Sequence, residues 1–148
     1  MSTPHFAIVA FALVSAACSA KAAGPPEIVV DRDVCTHCGM LISEPVYVAA
    51  YQLRGKEPRL FDDIGCMLDA LRREADAPIN VWVQDATGAG WLDANEAMFV
   101  ASAQIRTPMN GGILAYADAT AARVKAAAYR AEVVRSLPLL VAWKGDAK

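Results

Sequence analysis

The apolar pattern of the chain changes period several times, and each change marks an element. Val46 to Leu53, VYVAAYQL, mixes β-branched, aromatic and small residues and predicts a strand. RGKEP follows as a turn, and Arg59 to Phe61 predicts a short second strand. From Asp62 to Ala75 the spacing becomes helical. Ile64, Met67, Leu68 and Leu71 fall on one stripe, and the Arg and Glu residues lie off it. Asp62 or Asp63 can cap this helix; alternatively they orient a site or meet a partner. Pro78 ends the connection, and INVWV, Ile79 to Val83, predicts a third strand.

The order then repeats. AMFVASA (Ala97 to Ala103) predicts a strand, RTPMNGG a turn, and ILAY (Ile113 to Tyr116) a second strand. Asp118 to Ala131 predicts an alanine-rich helix of high intrinsic propensity. Glu132 to Val134 predicts a short strand, and SLPLLVAW closes the apolar part of the chain. The Phe61-Asp62-Asp63 and Tyr116-Ala117-Asp118 junctions correspond in position. The expected fold is α+β: two tandem ββαβ units, about 46–83 and 97–134, in one compact domain after a cleaved signal segment. Trp82, Trp91 and Trp143 are expected in the core.

Ahead of these units, Phe6 to Ala20 is apolar and then small, too short to span a bilayer as a mature helix. It fits a secretory segment followed by a processing site. Ser15-Ala16-Ala17-Cys18 has the form of a bacterial lipoprotein signal, in which residues 1–17 are removed and Cys18 is lipidated. Ala20-Lys21-Ala22 offers a second cleavage site, which would release a soluble product. An uncleaved apolar anchor is the third reading. On the lipoprotein reading, residues 18–27 are a small-residue and proline linker and residues 28–148 the folded domain. Several acyl chains on one cysteine tether firmly, because each buried methylene contributes about 0.8 kcal/mol.

Composition narrows the partners. The chain has 148 residues, 55% of them hydrophobic, and a net charge of −2 from 14 basic and 16 acidic side chains. That suffices for one core, and no basic stripe marks a nucleic-acid partner. Of the four cysteines, Cys18 is set aside for lipid. Cys35, Cys38 and Cys66 remain, an odd number that argues against a pure disulfide framework in an oxidising compartment.

DVCTHCGM, Asp33 to Met40, concentrates the candidate chemistry. A Cys35–Cys38 disulfide is the plainest reading. A redox pair normally opens a helix, which lowers the thiol pKa; Gly39 and Pro45 oppose a helix here. Covalent haem attachment needs His directly after the second cysteine, and Gly39 stands there. Zinc could use Cys35, Cys38, Cys66 and His37, although His37 sits inside the short loop, strained for joining both neighbours on one ion. The methionines add a further reading. Met40 lies two residues past Cys38 across a glycine. Met109 lies in a turn bracketed by Pro108 and Gly111-Gly112, with little core to fill. Met67 belongs to the helix stripe, so it and Cys66 face different ways. Thiolate and thioether together select Cu(I) over harder divalent ions. Disulfide, zinc, thiol redox and soft-metal readings all stand on the residues alone.

DVCTHCGM, FDDIGCM and TPMNGG, in that order after a lipoprotein-like signal, resemble the NosL family of copper-binding accessory lipoproteins of nitrous oxide reductase. The resemblance runs from about Val30 to about Ala131. It implies paired ββαβ units and a Cu(I)-binding metallochaperone, not an enzyme. Its task would be to deliver copper for the catalytic copper–sulfide centre of nitrous oxide reductase. By resemblance the metal residues are Cys35, Cys38, Met40 and Met109, with His37 and Cys66 as further candidates. The implied partners are ABC-type assembly machinery and the apo-reductase. The implied place is the periplasmic side of the bacterial envelope, lipid-anchored to the outer membrane. A thiol–disulfide oxidoreductase using Cys35 and Cys38, or a structural zinc module, would be the alternatives.

Overall fold

A computed structural model describes residues 24–142 of the chain. The export segment, Cys18 and Trp143 lie outside the described residues. No helix among the described residues is long and apolar enough to cross a membrane.

Both halves fold as ββαβ. In the first, β1 (Ala49–Gln52) pairs with β2 (Arg59–Phe61), α1 (Ile64–Leu71) follows, and β3 (Asn80–Gln84) returns beside β1. The second half repeats this with β5 (Met98–Ala101), β6 (Ile113–Tyr116), α2 (Ala119–Ala128) and β7 (Val133–Val134). The sheet orders are β2-β1-β3-β4 and β6-β5-β7, all antiparallel, so the two halves share one topology. The helix of each unit starts on an aspartate cap, the first of them expected. Asp63 accepts the Gly65 N–H at 2.6 Å, and Asp118 accepts the Ala121 N–H at 2.7 Å. Each cap satisfies a donor that the first helical turn leaves free.

Three details depart from the sequence expectation. The strand expected from Val46 begins only at Ala49, because Pro45–Tyr47 forms a 3-10 turn. Proline at the first position has the φ that such a turn needs. An extra strand, β4 (Trp91–Asp93), lies beside β3 between the two units. Its shortness and the glycines just before it, Gly88 and Gly90, hide it in the sequence. The Trp91 indole N–H donates to the Pro26 carbonyl at 3.0 Å, tying the incoming chain to this strand. SLPLLVAW contributes a short helix, α3 (Leu137–Ala142), packed on α1.

The second sheet is buried on both faces. Side chains alternate along a strand. Phe99, Ile113 and Ala115 enter a core shared with α1 and the first sheet, whereas Val100, Leu114 and Tyr116 pack under α2. α2 meets that face with Ala122 and Ala126, four residues apart and buried. Their small side chains let the helix sit close to the strands. Met67 is fully buried in the shared core, as the helix stripe requires, and Trp82 is buried.

Asp85 joins the halves. It forms a parallel bridge to Ala115, and the Ala86 N–H donates to the Ala115 carbonyl at 2.8 Å. The Asp85 carboxylate is buried and accepts from the Thr87 N–H and hydroxyl and from the Ala117 N–H at 2.9 Å. Burial alone would raise its pKa. The Thr87 and Ala117 donors outweigh that and hold it below the ordinary value of 3.8.

Replacing Asp85 by Asn should lower the unfolding free energy by roughly 1–3 kcal/mol, since the Thr87 donors and the Ala117 N–H of the second half lose a charged acceptor. The contribution of a carboxyl with a depressed folded pKa is complete above its unfolded value and is lost as pH falls through the folded one. Urea unfolding of parent and Asp85→Asn protein should therefore show a gap at pH 7 that narrows as pH is taken below 3.8. Equal midpoints at pH 7 would mean that Asp85 does not tie the halves.

Candidate metal centre

The CTHCGM segment closes on itself. The Cys35 N–H donates to the Met40 carbonyl at 2.8 Å, and the Gly39 N–H to the Cys35 carbonyl at 2.9 Å. Gly39 supplies the reversal at φ +75°, a backbone conformation that side chains disfavour. Val34 and Leu41 bridge across the base of this loop. The Thr36 N–H, donating to the Leu60 carbonyl at 2.8 Å, pins the loop to β2. The chain runs directly from β2 through Asp62-Asp63 into α1, whose first turn carries Cys66. Loop and helix start therefore face each other across a few residues.

The result is a cluster of three thiols. The sulfurs of Cys35, Cys38 and Cys66 all lie within 4.8 Å of one another, and the three cysteines are free. Cys66, a secondary candidate on the sequence, is thus as central as the CxxC pair. Cys35 and Cys66 are buried and Cys38 is half-buried, so the cluster opens to solvent on the Cys38 side.

The three sulfurs differ electrostatically. The Cys66 thiol donates a hydrogen bond to Cys35, the main cause that pulls the Cys35 pKa down. Burial opposes this, and the backbone N–H groups of Cys38, Asp62 and His37 add to it. Cys35 is the most readily ionised sulfur of the cluster. Cys66 keeps its proton, because it donates to Cys35 and is buried beside it. Burial also raises Cys38, against a backbone hydrogen bond from Met40. A nest of N–H groups around one sulfur stabilises a thiolate before any cation arrives.

Met40 is 56% exposed and Met109 40% exposed, both at the surface. His37 lies outside the thiol cluster and is half-buried; its backbone N–H, rather than its imidazole, meets Cys35. Asp62 is buried with one carboxylate oxygen lacking a hydrogen-bond partner. Burial first, and then the nearby Cys35 charge, raise its pKa. Asp63 is more than a helix cap. Its second oxygen accepts from the Thr107 hydroxyl, the Met109 N–H at 3.2 Å and the Gly111 N–H at 3.3 Å. The Met109 loop is thereby held against the first turn of α1. Nothing in the spacing of the sequence signals this contact, because it joins residues more than forty positions apart across the two halves.

The NosL family model matches residues 26–137 of the chain. The chain belongs to the NosL family. Among solved structures, the crystal structure of the copper chaperone NosL from Shewanella denitrificans is similar in fold, with a TM-score of 0.61. The alignment covers 75% of this chain and 94% of that one, at 20% identity. A search of curated proteins finds no match. NosL membership agrees with the duplicated ββαβ architecture.

Access, rather than ease of ionisation, sets the order of reactivity: Cys35 ionises most readily but is buried, and Cys38 is the half-buried sulfur. In the reduced native protein, iodoacetamide should label Cys38 before Cys35 and Cys66, and urea should abolish the difference. Peptide mass spectrometry over a time course reads this directly. Equal labelling of all three in native conditions would contradict the cluster as described.

Proposed function

We propose that this chain is a Cu(I)-binding metallochaperone that delivers copper for assembly of the catalytic copper–sulfide centre of nitrous oxide reductase. The observation that carries the reading is the three-sulfur cluster of Cys35, Cys38 and Cys66, open on one side. Soft sulfur donors select Cu(I). Zinc in a structural site asks for four closed ligands from Cys and His, and this cluster offers three sulfurs and no imidazole. NosL membership, and the similarity in fold to a copper chaperone, favour the same assignment.

Copper is the cargo of this site. Cys35 and Cys66 hold it from the buried side, and Cys38 closes the loop side. Met40 and Met109 stand at the rim as thioether ligands that can join or leave. Transfer proceeds by ligand exchange. A sulfur or imidazole of the acceptor binds the ion from the open side, and a rim ligand, then Cys38, lets go. Weak thioethers keep this exchange fast, and the thiols must be reduced for any of it to occur. The chain's role ends with handing over an ion, so no bond of a substrate is made or broken.

In this reading the acceptors are the ABC-type assembly machinery and, through it, the apo-reductase. Lipidation of Cys18 anchors the protein to the outer membrane on its periplasmic side, and residues 18–27 lift the domain off the surface. The supporting evidence is the lipoprotein-type signal and the small-residue, proline-containing linker in the sequence.

Anaerobic titration of the reduced mature chain with Cu(I), against a competing chelator, should give one tightly bound ion. X-ray absorption should find sulfur as its neighbour. Cys66→Ser should weaken binding by at least about a hundredfold, equivalent to roughly 3 kcal/mol. Met40→Ala and Met109→Ala should weaken it less. A chain that leaves all Cu(I) with the chelator and closes a stable Cys35–Cys38 disulfide would overturn the chaperone reading and favour thiol redox chemistry.

A further inference from the structure

The duplicated architecture contains its own comparison for Asp63. Asp118 occupies the equivalent junction in the second half. It caps α2 through one hydrogen bond, to Ala121, and is exposed. Asp63 caps α1 in the same way but is fully buried and accepts three further hydrogen bonds from residues 107, 109 and 111. A helix cap requires only the first of these. The additional bonds all reach one loop of the other half, the loop that carries Met109.

That loop is shaped around the carboxylate. Alternate residues turn their donors inward to Asp63, and the Thr107 hydroxyl also accepts the Gly112 N–H at 3.1 Å. Asn110, at φ +55° and with its N–H on the Thr107 carbonyl, makes the turn. Loop and helix touch at two glycines. A Cβ on Gly65 would lie 2.7 Å from the Gly111 Cα, and a Cβ on Gly111 would collide with the Asp63 carboxylate. The Met109 backbone is therefore set at a fixed distance from the helix turn that bears Cys66, one residue beyond Gly65.

We propose that Asp63 is a positioning residue for the copper site: by clamping the 107–112 loop onto the start of α1, it holds Met109, from the second half of the duplicated fold, within reach of the ion bound by the first half's cysteines. This rests on the Cu(I) reading above and adds to it the device that makes one site out of two units. Asp63 itself does not touch the ion. Its contribution passes through Met109.

The test is a double-mutant cycle on Cu(I) affinity, measured by chelator competition on the reduced full chain. Asp63→Asn should weaken Cu(I) binding on the order of tenfold, the usual size of an effect exerted through a ligand's support. Gly111→Ala, whose Cβ would force the Asp63 carboxylate and the loop apart while every cysteine keeps its identity, should do the same. In a Met109→Ala background neither should weaken binding further. A role confined to folding would lower the urea midpoint without this dependence on Met109. If Asp63→Asn does not fold, Gly111→Ala and Thr107→Val carry the measurement. Wild-type affinity in these variants, or an equal loss with and without Met109, overturns the proposal while leaving the cysteine site standing. Absence of Cu(I) binding by the parent chain would instead remove the chaperone reading, and the proposal with it.

Discussion

A carboxylate taken fully out of water is strongly destabilising unless its oxygens find donors. Asp63 is in that position, and the donors it finds come from both halves of the molecule: Gly65 from its own helix, and Thr107, Met109 and Gly111 from the other unit. Neither half can satisfy the group alone. The helix that carries Cys66 thus starts at the place where the two units are held together. Asp85 makes a second tie of the same kind, from the end of β3 to the end of β6. Two small ββαβ units, each with too little core to stand well by itself, become one domain around these two acids and the shared apolar core.

The copies have diverged in what they do. The second unit has an alanine-faced helix pressed closely on its sheet, with Ala122 and Ala126 in contact with Val100 and Leu114 within one cluster. That arrangement is compact and carries no reactive group. The first unit keeps a glycine and a cysteine in the opening turn of its helix, where the second has Thr120 and Ala121. Gly65 admits the approach of Gly111, and Cys66 completes the sulfur cluster. Duplication supplied the frame, and small residues at one helix start made room for a site in only one copy.

Within the site, charge is distributed unevenly before any ion binds. Cys35 is buried, yet the Cys66 thiol and backbone N–H groups pull its pKa down. Cys38 sits at the solvent edge and keeps its proton. A deep, readily ionised sulfur gives a place to retain a soft cation, and a shallower thiol with exposed thioethers gives a place to release it. For a carrier the two demands conflict, and the difference in depth between Cys35 and Cys38 separates them in space.

The sequence by itself determined the order of elements, because period, caps and turn residues are local properties. Both ββαβ units, an aspartate cap on the first helix and the burial of Met67 follow from spacing alone. The CxxC loop was legible for the same reason: its donors and its glycine lie within six residues. Family resemblance carried the sulfur chemistry from motif to expectation. Tertiary structure alone decided which groups meet across distance. Cys66 stands in the sequence as one cysteine on a helix, and only the return of the chain from β2 through Asp62-Asp63 places it against Cys35. Asp63 reads as a cap, since its three other partners lie far along the chain and the sequence carries no period that links them. β4 is not legible because three residues after a glycine-rich turn give no alternation to detect, and its partner β3 is what makes it a strand. Local pattern records how a segment can fold; burial and the pairing of distant donors and acceptors decide what a side chain is for.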